Sequence, residues 1–431
     1  MADLLGLSTR IIDEAVLDEP VNRVTQELSE IGDGIAMVES FSHVVAFRTG
    51  EGLVLFDTSG VWSGAQVVES LRSWSDAPVH SAIYTHGHMD HVGGSAFFAA
   101  DARQRGHPLP RIVGHENLLP RFARYDLTNG YNLAINARQF GGTRALGLEI
   151  GGRAARFHPE ETLDPDLIVG QQLDLSVGDL EIELRHSKGE TDDHLWAWLP
   201  GQRAICAGDF FIWNFPNAGN PQKVQRYPLE WAEALRAMAE CDAELFLPAH
   251  GLPIAGRDRI RAVLDDVASA LESLVSQTLE RMNAGEPLDR IAQEVRVKDD
   301  LLAKPYLRPF YDEPEFVVRN VWRLYGGWYD GNPAHLKPAP EAALVRELAA
   351  LAGGAEALAR RAVELCEAGE LRLACELAEL AVQARPESRA AHAARADVYT
   401  AHRARAPSLM AKGIYAAAAR ESRAALDTED E

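Results

Sequence analysis

Cysteines are few in this sequence, and no two of them lie close together. The chain of 431 residues has four, at positions 206, 241, 366 and 375. No pair has the spacing of a zinc finger or of a redox Cys-x-x-C motif, so both kinds of cysteine site are excluded. We expect reduced thiols packed in cores. Cys206 is interpreted as buried and not as a ligand, because strand residues three positions apart point to opposite faces.

Long apolar runs are also missing. No stretch approaches the roughly 20 apolar residues of a membrane-spanning helix. The first residues, MADLL, lack the basic and apolar regions of a signal peptide, so we predict a cytoplasmic protein. Hydrophobic residues nevertheless make up 46% of the chain, which is enough to form fully buried cores. The length favours two or more domains.

Positive charge is scarce, with 43 lysines and arginines against 64 aspartates and glutamates and a formal net charge of −21. This balance argues against nucleic acid and anionic membrane surfaces as partners. A small anionic substrate is still allowed, because positive charge can be concentrated at a few positions. We interpret most of the basic residues in the middle of the chain as solvated: Arg121, Arg124, Arg138, Lys223 and Arg226.

The sequence does contain a dense cluster of metal-ligating residue types. Residues 85 to 94 read THGHMDHVGG, which places His86, His88, Asp90 and His91 within six positions. Imidazole and carboxylate groups suit zinc and its first-row neighbours. The apolar residues 81–84 before the cluster predict a buried strand, so the cluster lies on a strand-to-helix turn. The first two histidines can point the same way while the last two ligands begin the next turn, which indicates two metal ions.

The His-x-His-x-Asp-His stretch resembles the signature of the metallo-β-lactamase superfamily. Three later segments match the other ligands of that family, namely HSKGE at 186–190, CAGD at 206–209 and LPAHG at 247–251. The resemblance implies two ligand groups joined by a bridging Asp209: His86, His88 and Glu190 for one ion, and Asp90, His91 and His250 for the other. His194 is the alternative to Glu190. Two divalent ions are implied, zinc first, with manganese or iron as alternatives.

The sequence upstream of the cluster also resembles this superfamily. Residues 35–38, 44–47 and 52–58 read as short strands separated by polar and glycine turns, similar to its N-terminal sheet. We interpret Asp57 as a support of the metal loop and not as a ligand, because acidic residues near metals usually act behind the ligands. The implied fold class is α/β, an αββα metallo-β-lactamase sandwich followed by an all-helical dimerisation domain.

The C-terminal third changes character. Residues 257–283 have the apolar spacing of a helix. The aromatic run at 311–333, with its core YGGWYDGNP, resembles the dimerisation region of alkylsulfatases, and residues 136–141 are loosely similar to another segment of those enzymes. The resemblance implies a binuclear metal domain at 1–262, a helical dimerisation domain at 263–431, and a homodimer. Packing of the aromatic run between the two domains is the alternative to a subunit interface.

Beyond Pro340 the sequence is rich in alanine, and residues 369–386 have the small-residue spacing of a single tetratricopeptide-like helix pair. One such unit is not an array, so we expect helix packing and not peptide binding. Two features depart from the alkylsulfatases. They commonly have a glutamate where Asp209 stands, and residues 214–220, NFPNAGN, lack the arginine that tends to hold the sulfate.

The resemblance implies a metal-dependent hydrolase that acts on a small ester, with alkyl sulfates as the expected class. Two cations that share a water lower its pKa towards neutrality, which creates a metal-bridged hydroxide as the nucleophile. Asp90 and Asp209 are the expected catalytic ligands. The alternative substrates are another ester, a lactone, a thioester or a phosphoester. Outside hydrolases, the alternatives are a binuclear iron redox protein and a non-catalytic scaffold, against which the intact ligand set argues.

Overall fold

The computed structural model describes residues 2–140 and 156–427, so Gly141 of the segment 136–141 lies outside the described residues. The chain forms two compact units. The first contains most of the chain up to Trp328, and the second contains a segment that begins at Ala134 together with the chain from Tyr329 onward. The division at residue 262 falls inside a helix of the first unit, and it stays a prediction.

The first unit contains two sheets. In the first sheet the strands follow one another in chain order. They pair antiparallel as far as β4 and parallel from β4 to β7. Its strands are β1 (Leu28–Gly32), β2 (Ile35–Val38), β3 (Val44–Thr49), β4 (Gly52–Phe56), β5 (Val79–Ile83), β6 (Arg111–His115) and β7 (Leu167–Val169). The predicted strands of the N-terminal region are therefore confirmed.

The second sheet has the order β13-β12-β11-β10-β9-β8. Strands β11 and β12 pair parallel, and the other neighbours pair antiparallel. Its strands are β8 (Gln172–Val177), β9 (Leu180–His186), β10 (Leu195–Leu199), β11 (Ala204–Gly208), β12 (Leu245–Pro248) and β13 (Ile254–Ala255). Because β11 and β12 run in the same direction, the loops that follow them lie at the same edge of the sheet.

The two sheets face each other, and helices cover their outer faces. Strand β4, GLVLF, is buried throughout, and its alternate side chains point to opposite faces. Val54 and Phe56 join a cluster that includes Leu184 of the second sheet, whereas Leu53 and Leu55 join a cluster with helical side chains. The helix α6 (Asn129–Phe140) begins in the first unit and continues from Ala134 in the second. The other helices of the first unit are α1 (Leu4–Asp13), α2 (Gly64–Trp74), α3 (Met89–Val92), α4 (Ser95–Arg105), α5 (Leu118–Leu127), α7 (Pro228–Glu240), α8 (Arg257–Asn283), α9 (Leu288–Glu294), α10 (Asp299–Leu302) and α11 (Pro314–Gly326).

The second unit is helical, which confirms the predicted fold class. After a 3-10 turn at Pro333–His335, its helices are α12 (Glu341–Ala352), α13 (Ala355–Glu367), α14 (Leu371–Ala384), α15 (Arg389–Arg405) and α16 (Leu409–Asp427). The prediction of a helix pair within residues 369–386 is wrong, because these residues contain one helix, α14, which packs against α13 before it. The predicted helix at 257–283 is confirmed as α8. Among the described helices, none has the length and apolarity to cross a membrane, and the cytoplasmic location stays a prediction.

Candidate metal centre

The candidate ligands all follow strand ends. His86 and His88 come after β5, and Asp90 and His91 belong to the short helix α3 that continues from them. The other three follow strands of the second sheet: Glu190 after β9, Asp209 after β11 and His250 after β12. Glu190, Asp209 and His250 each lie only one to four residues past a strand end, so residues far apart in sequence come together with little freedom of position.

The first group consists of His86, His88 and Asp209, which offer one ligand atom each within 4.8 Å of one another. His86 Nε2 lies 2.8 Å from His88 Nδ1 and 3.8 Å from Asp209 Oδ2. Glu190 Oε1 is 3.4 Å from His88 Nδ1. Glu190, the other ligand predicted for this ion, therefore lies beside the group, with its carboxylate turned towards His88.

The second group consists of Asp90, His91 and His250, again with one ligand atom each within 4.8 Å. Asp90 Oδ2 lies 3.4 Å from His91 Nε2 and 3.3 Å from His250 Nε2. Asp209 Oδ1 lies 3.4 Å from the same two nitrogens. The two carboxylate oxygens of Asp209 thus face different groups, which is the arrangement of a bridging ligand.

Negative charge dominates the electrostatics of the centre. Burial alone lowers the pKa of His250 and His91, but the carboxylates of Asp209 and Asp90 outweigh it. They raise the pKa of His250 to about 10 and that of His91 well above its ordinary value. Burial raises the pKa of Glu190 to about 8, against the influence of Arg226. A cation placed among these groups would be stabilised by the same field.

A divalent metal fits this donor set. His91 Nε2 and Asp209 Oδ1 are buried, and neither has a hydrogen-bond partner within residues 2–140 and 156–427. Buried polar atoms normally have a partner, and leaving one without costs about 1–3 kcal/mol. Two such atoms 3.4 Å apart, among imidazole and carboxylate donors, are what a first-row ion such as zinc would satisfy.

The interpretation of Asp57 as a support of the metal loop is confirmed. Its Oδ2 lies 2.8 Å from His91 Nδ1, the nitrogen turned away from the ligand group. Its carboxylate also accepts hydrogen bonds from the Thr85 backbone N–H at 2.7 Å and from the Thr85 hydroxyl at 2.9 Å. A carboxylate behind a ligating histidine fixes the ring's orientation and tautomer.

His194 and Cys206 lie outside both ligand groups. His194 Nε2 accepts a hydrogen bond from the Asp209 backbone N–H at 3.2 Å, and its ring stacks on Phe210 at 4.1 Å. Cys206 is buried within β11, where burial raises its thiol pKa well above the ordinary value. Asp209 lies past the end of β11, so strand alternation between positions 206 and 209 does not apply. The prediction that Cys206 is buried is nevertheless confirmed, because the residue lies inside the buried strand β11.

Arg121 and Arg226 correct the prediction that most of the basic residues named are solvated, since each is only 2% exposed. Arg226 Nη1 lies 3.1 Å from Glu190 Oε1, and Arg121 Nε lies 2.9 Å from Asp193 Oδ1. Buried charges persist where an opposite charge compensates them. Burial, reinforced by Arg226, also lowers the pKa of Lys223 to about 7. Positive charge is therefore concentrated beside the candidate ligands.

The loop that carries Arg226 is held by the helix α11. Asn320 Nδ2 donates to the backbone carbonyls of Ala218 and Arg226, both at 2.9 Å. Asp312, just before the helix, accepts from the Gly219 N–H at 2.7 Å. Sequence reasoning missed this support, because the partners are about a hundred residues apart and no motif joins them.

Two family models match the chain. The model described as metallo-beta-lactamase superfamily matches residues 37–250, and the model described as alkyl sulfatase dimerisation matches residues 288–425. The first covers the described ligand groups and Glu190, and the second covers the helices α9 to α15 and most of α16.

Curated relatives and a solved structure agree with these matches. A linear primary-alkylsulfatase of Pseudomonas sp. is 26% identical over 77% of this chain and 65% of its own length. The alkyl/aryl-sulfatase BDS1 of Saccharomyces cerevisiae is 25% identical over 86% of this chain and 60% of its own length. The chain thus spans less than two thirds of these relatives.

The solved structure is the stereoselective inverting sec-alkylsulfatase Pisa1 from Pseudomonas sp.. It superposes with a TM-score of 0.82 at 22% identity, over 94% of this chain and 66% of that one, which shows a shared fold. Together with this fold, the family matches show that residues 37–250 are similar to the metallo-beta-lactamase superfamily and residues 288–425 to the alkyl sulfatase dimerisation family.

Proposed function

We propose that the protein is a binuclear metal-dependent hydrolase of alkyl sulfate esters. The observation that carries the proposal is the position of Asp209, with one oxygen facing each ligand group. The relatives named as alkylsulfatases support the substrate class. Zinc is the proposed metal, because two imidazoles and a carboxylate in each group suit it.

Seven side chains would hold the two ions. The first ion would be held by His86, His88 and Glu190, and the second by Asp90, His91 and His250. Both ions would share Asp209. When bound, the ions supply a water of lowered pKa and compensate negative charge that develops on the ester. Asp57 keeps the His91 ring in place, and Arg226 orients the Glu190 carboxylate and favours its charged form.

Arg226 and Lys223 also suit a sulfate substrate. Arg226 lowers the pKa of Glu190, and Glu190 raises the pKa of Lys223, so both basic side chains lie near this carboxylate. A buried guanidinium or ammonium attracts an anionic group strongly, since little water screens the charge. These two side chains would bind the sulfate end of the ester.

The protein is also proposed to be a homodimer. The match to the alkyl sulfatase dimerisation model supports this, as do three exposed aromatic side chains near the end of α11: Tyr325 at 47%, Trp328 at 70% and Tyr329 at 39% exposure. Tyrosine and tryptophan are enriched where subunits meet. Trp322 packs against the core of the first unit, so Trp328 is the better probe of an interface.

A substrate panel tests the proposal. Purified, zinc-loaded protein is assayed with alkyl sulfates of several chain lengths beside matched carboxylic and phosphate esters, lactones and thioesters. We expect turnover of alkyl sulfates, abolished by a chelator and restored by zinc. Preference for any other ester class would overturn the sulfate assignment. No turnover of any ester by protein that holds two ions would overturn the hydrolase assignment.

A further inference from the structure

The turn between β2 and β3 touches the second ligand group. The Phe41 ring lies edge-on to the His250 ring, with centroids 5.4 Å apart. The Ser42 hydroxyl lies 3.1 Å from His91 Nδ1. Two consecutive residues of one turn therefore contact the two histidines of this group, although the turn carries no metal-binding motif.

The next residue, His43, holds the chain on both sides of His250. Its backbone N–H donates to the Ala249 carbonyl at 2.7 Å, and its Nε2 lies 2.8 Å from the Gly251 carbonyl. Its Nδ1 accepts from the Ser40 N–H at 3.1 Å. An N–H can only donate and a carbonyl can only accept, so the proton of a neutral His43 belongs on Nε2.

Burial keeps His43 neutral. The side chain is 3% exposed, and burial followed by the influence of His250 lowers its pKa to about 3. The ring is thus a fixed donor and acceptor over the ordinary pH range. A neutral imidazole that joins two backbone segments restrains them without adding charge beside the metal centre.

The opposite side of the same loop is also tightly packed. Gly251 has a φ of +87°, and a Cβ built there would lie 2.2 Å from Trp213 Cδ1. Trp213 donates through Nε1 to the Leu252 carbonyl at 2.6 Å. The loop that carries His250 is therefore restrained by Trp213 on one side and by His43 on the other.

From these contacts we propose that His43 is a positioning residue, which holds the two carbonyls flanking His250 and so sets the affinity of the second ligand group for its ion. The inference rests on the proposed function, because it requires that Asp90, His91 and His250 bind a metal. Groups that orient metal ligands typically change metal affinity by about 10–100-fold. We expect an effect of this size at one of the two ion positions and little at the other.

The test compares His43→Leu, which removes both side-chain hydrogen bonds, with His43→Gln, whose amide still reaches the Gly251 carbonyl. Zinc alone is the probe. Stepwise competition with a chelator gives the two zinc affinities. Anomalous diffraction from crystals at limiting zinc shows which position has emptied. We expect His43→Leu to weaken the position between Asp90, His91 and His250 by about 10–100-fold, and His43→Gln to recover most of it.

Two further variants separate positioning from general stability. Phe47→Leu perturbs a buried side chain of β3 that packs on Phe56, so it should lower stability and leave both zinc affinities unchanged. Asp193 Oδ2 accepts from the Gly87 N–H at 3.0 Å, between His86 and His88. Asp193→Asn should therefore weaken the other position and spare the one that His43 controls.

The outcomes are distinct. Unchanged zinc binding by folded His43→Leu would overturn the inference, as would equal losses in His43→Leu and Phe47→Leu. If His43→Leu does not fold, His43→Gln against His43→Asn decides, because asparagine is too short to reach Gly251 and should show the loss. If the wild-type protein binds no zinc, the proposed function fails together with this inference. Two bound ions without ester hydrolysis would remove the function and leave the inference standing.

Discussion

The two compact units bury their interiors with different side chains. The core of the first unit contains large residues such as Phe47, Trp231 and Phe246, whereas the helices of the second unit meet over alanines such as Ala374 and Ala378. Large side chains interlock and fix the positions of strand ends. Alanines allow close helix approach but bury little area each. The first unit is thus suited to hold chemical groups in place, and the second to present helical surfaces.

Removal of the Asp209 carboxylate, which both ligand groups share, should have the strongest effect on the first unit. Asp209→Asn should cost at least about a hundredfold in kcat/KM, because loss of metal charge stabilisation is worth several kcal/mol. It should also lower the number of bound ions, with the fold intact by circular dichroism. Asp174→Asn, on an exposed position of β8, is the control. Full activity in Asp209→Asn would contradict the proposed role.

The next effect distinguishes two candidates for one ligand position. Glu190→Ala should lose affinity for one ion, because its carboxylate faces His88 and its loss leaves an open, poorly neutralised site. His194→Ala should keep both ions, since His194 Nε2 accepts a backbone hydrogen bond. Metal counting on both variants is the measurement. The reverse pattern would assign the position to His194.

A substitution in the core of one unit should destabilise that unit and leave the other folded. Leu184→Ala removes a fully buried side chain between the sheets and should lower the free energy of unfolding of the first unit by about 2–5 kcal/mol. Ala378→Leu overfills the helical core and should cost the second unit about 1–3 kcal/mol. Calorimetry of the metal-free protein follows both. Loss of metal binding in Ala378→Leu, with the first unit still folded, would contradict the independence of the centre from that core.

The mildest change concerns the exposed aromatic residues. Trp328→Ala should shift a monomer–dimer equilibrium at least about tenfold towards monomer, and leave metal content unchanged. Light scattering at low micromolar concentration measures it, with Leu127→Ala, an exposed position of α5, as the control. A wild-type protein that scatters as a monomer would refute the dimer. Equal dimerisation of wild type and Trp328→Ala would place the interface elsewhere.

Local patterns explain what the sequence predicted well. The ligands at 86–91 lie within six positions, the strands before them alternate or run apolar, and α8 has a regular stripe, so short windows contain the signal. The support of Glu190 by Arg226 and of the Arg226 loop by Asn320 links residues 36 and 94 positions apart. No periodicity encodes such pairs. The exposed fraction of an arginine likewise depends on a partner that only the fold brings near.

Two ligand groups joined by Asp209 are proposed to hold two metal ions in each chain. Mass-spectrometric metal counting on protein purified from metal-replete medium tests it most directly. We expect close to two transition-metal ions per chain. A reproducible value near zero from a folded sample would contradict it.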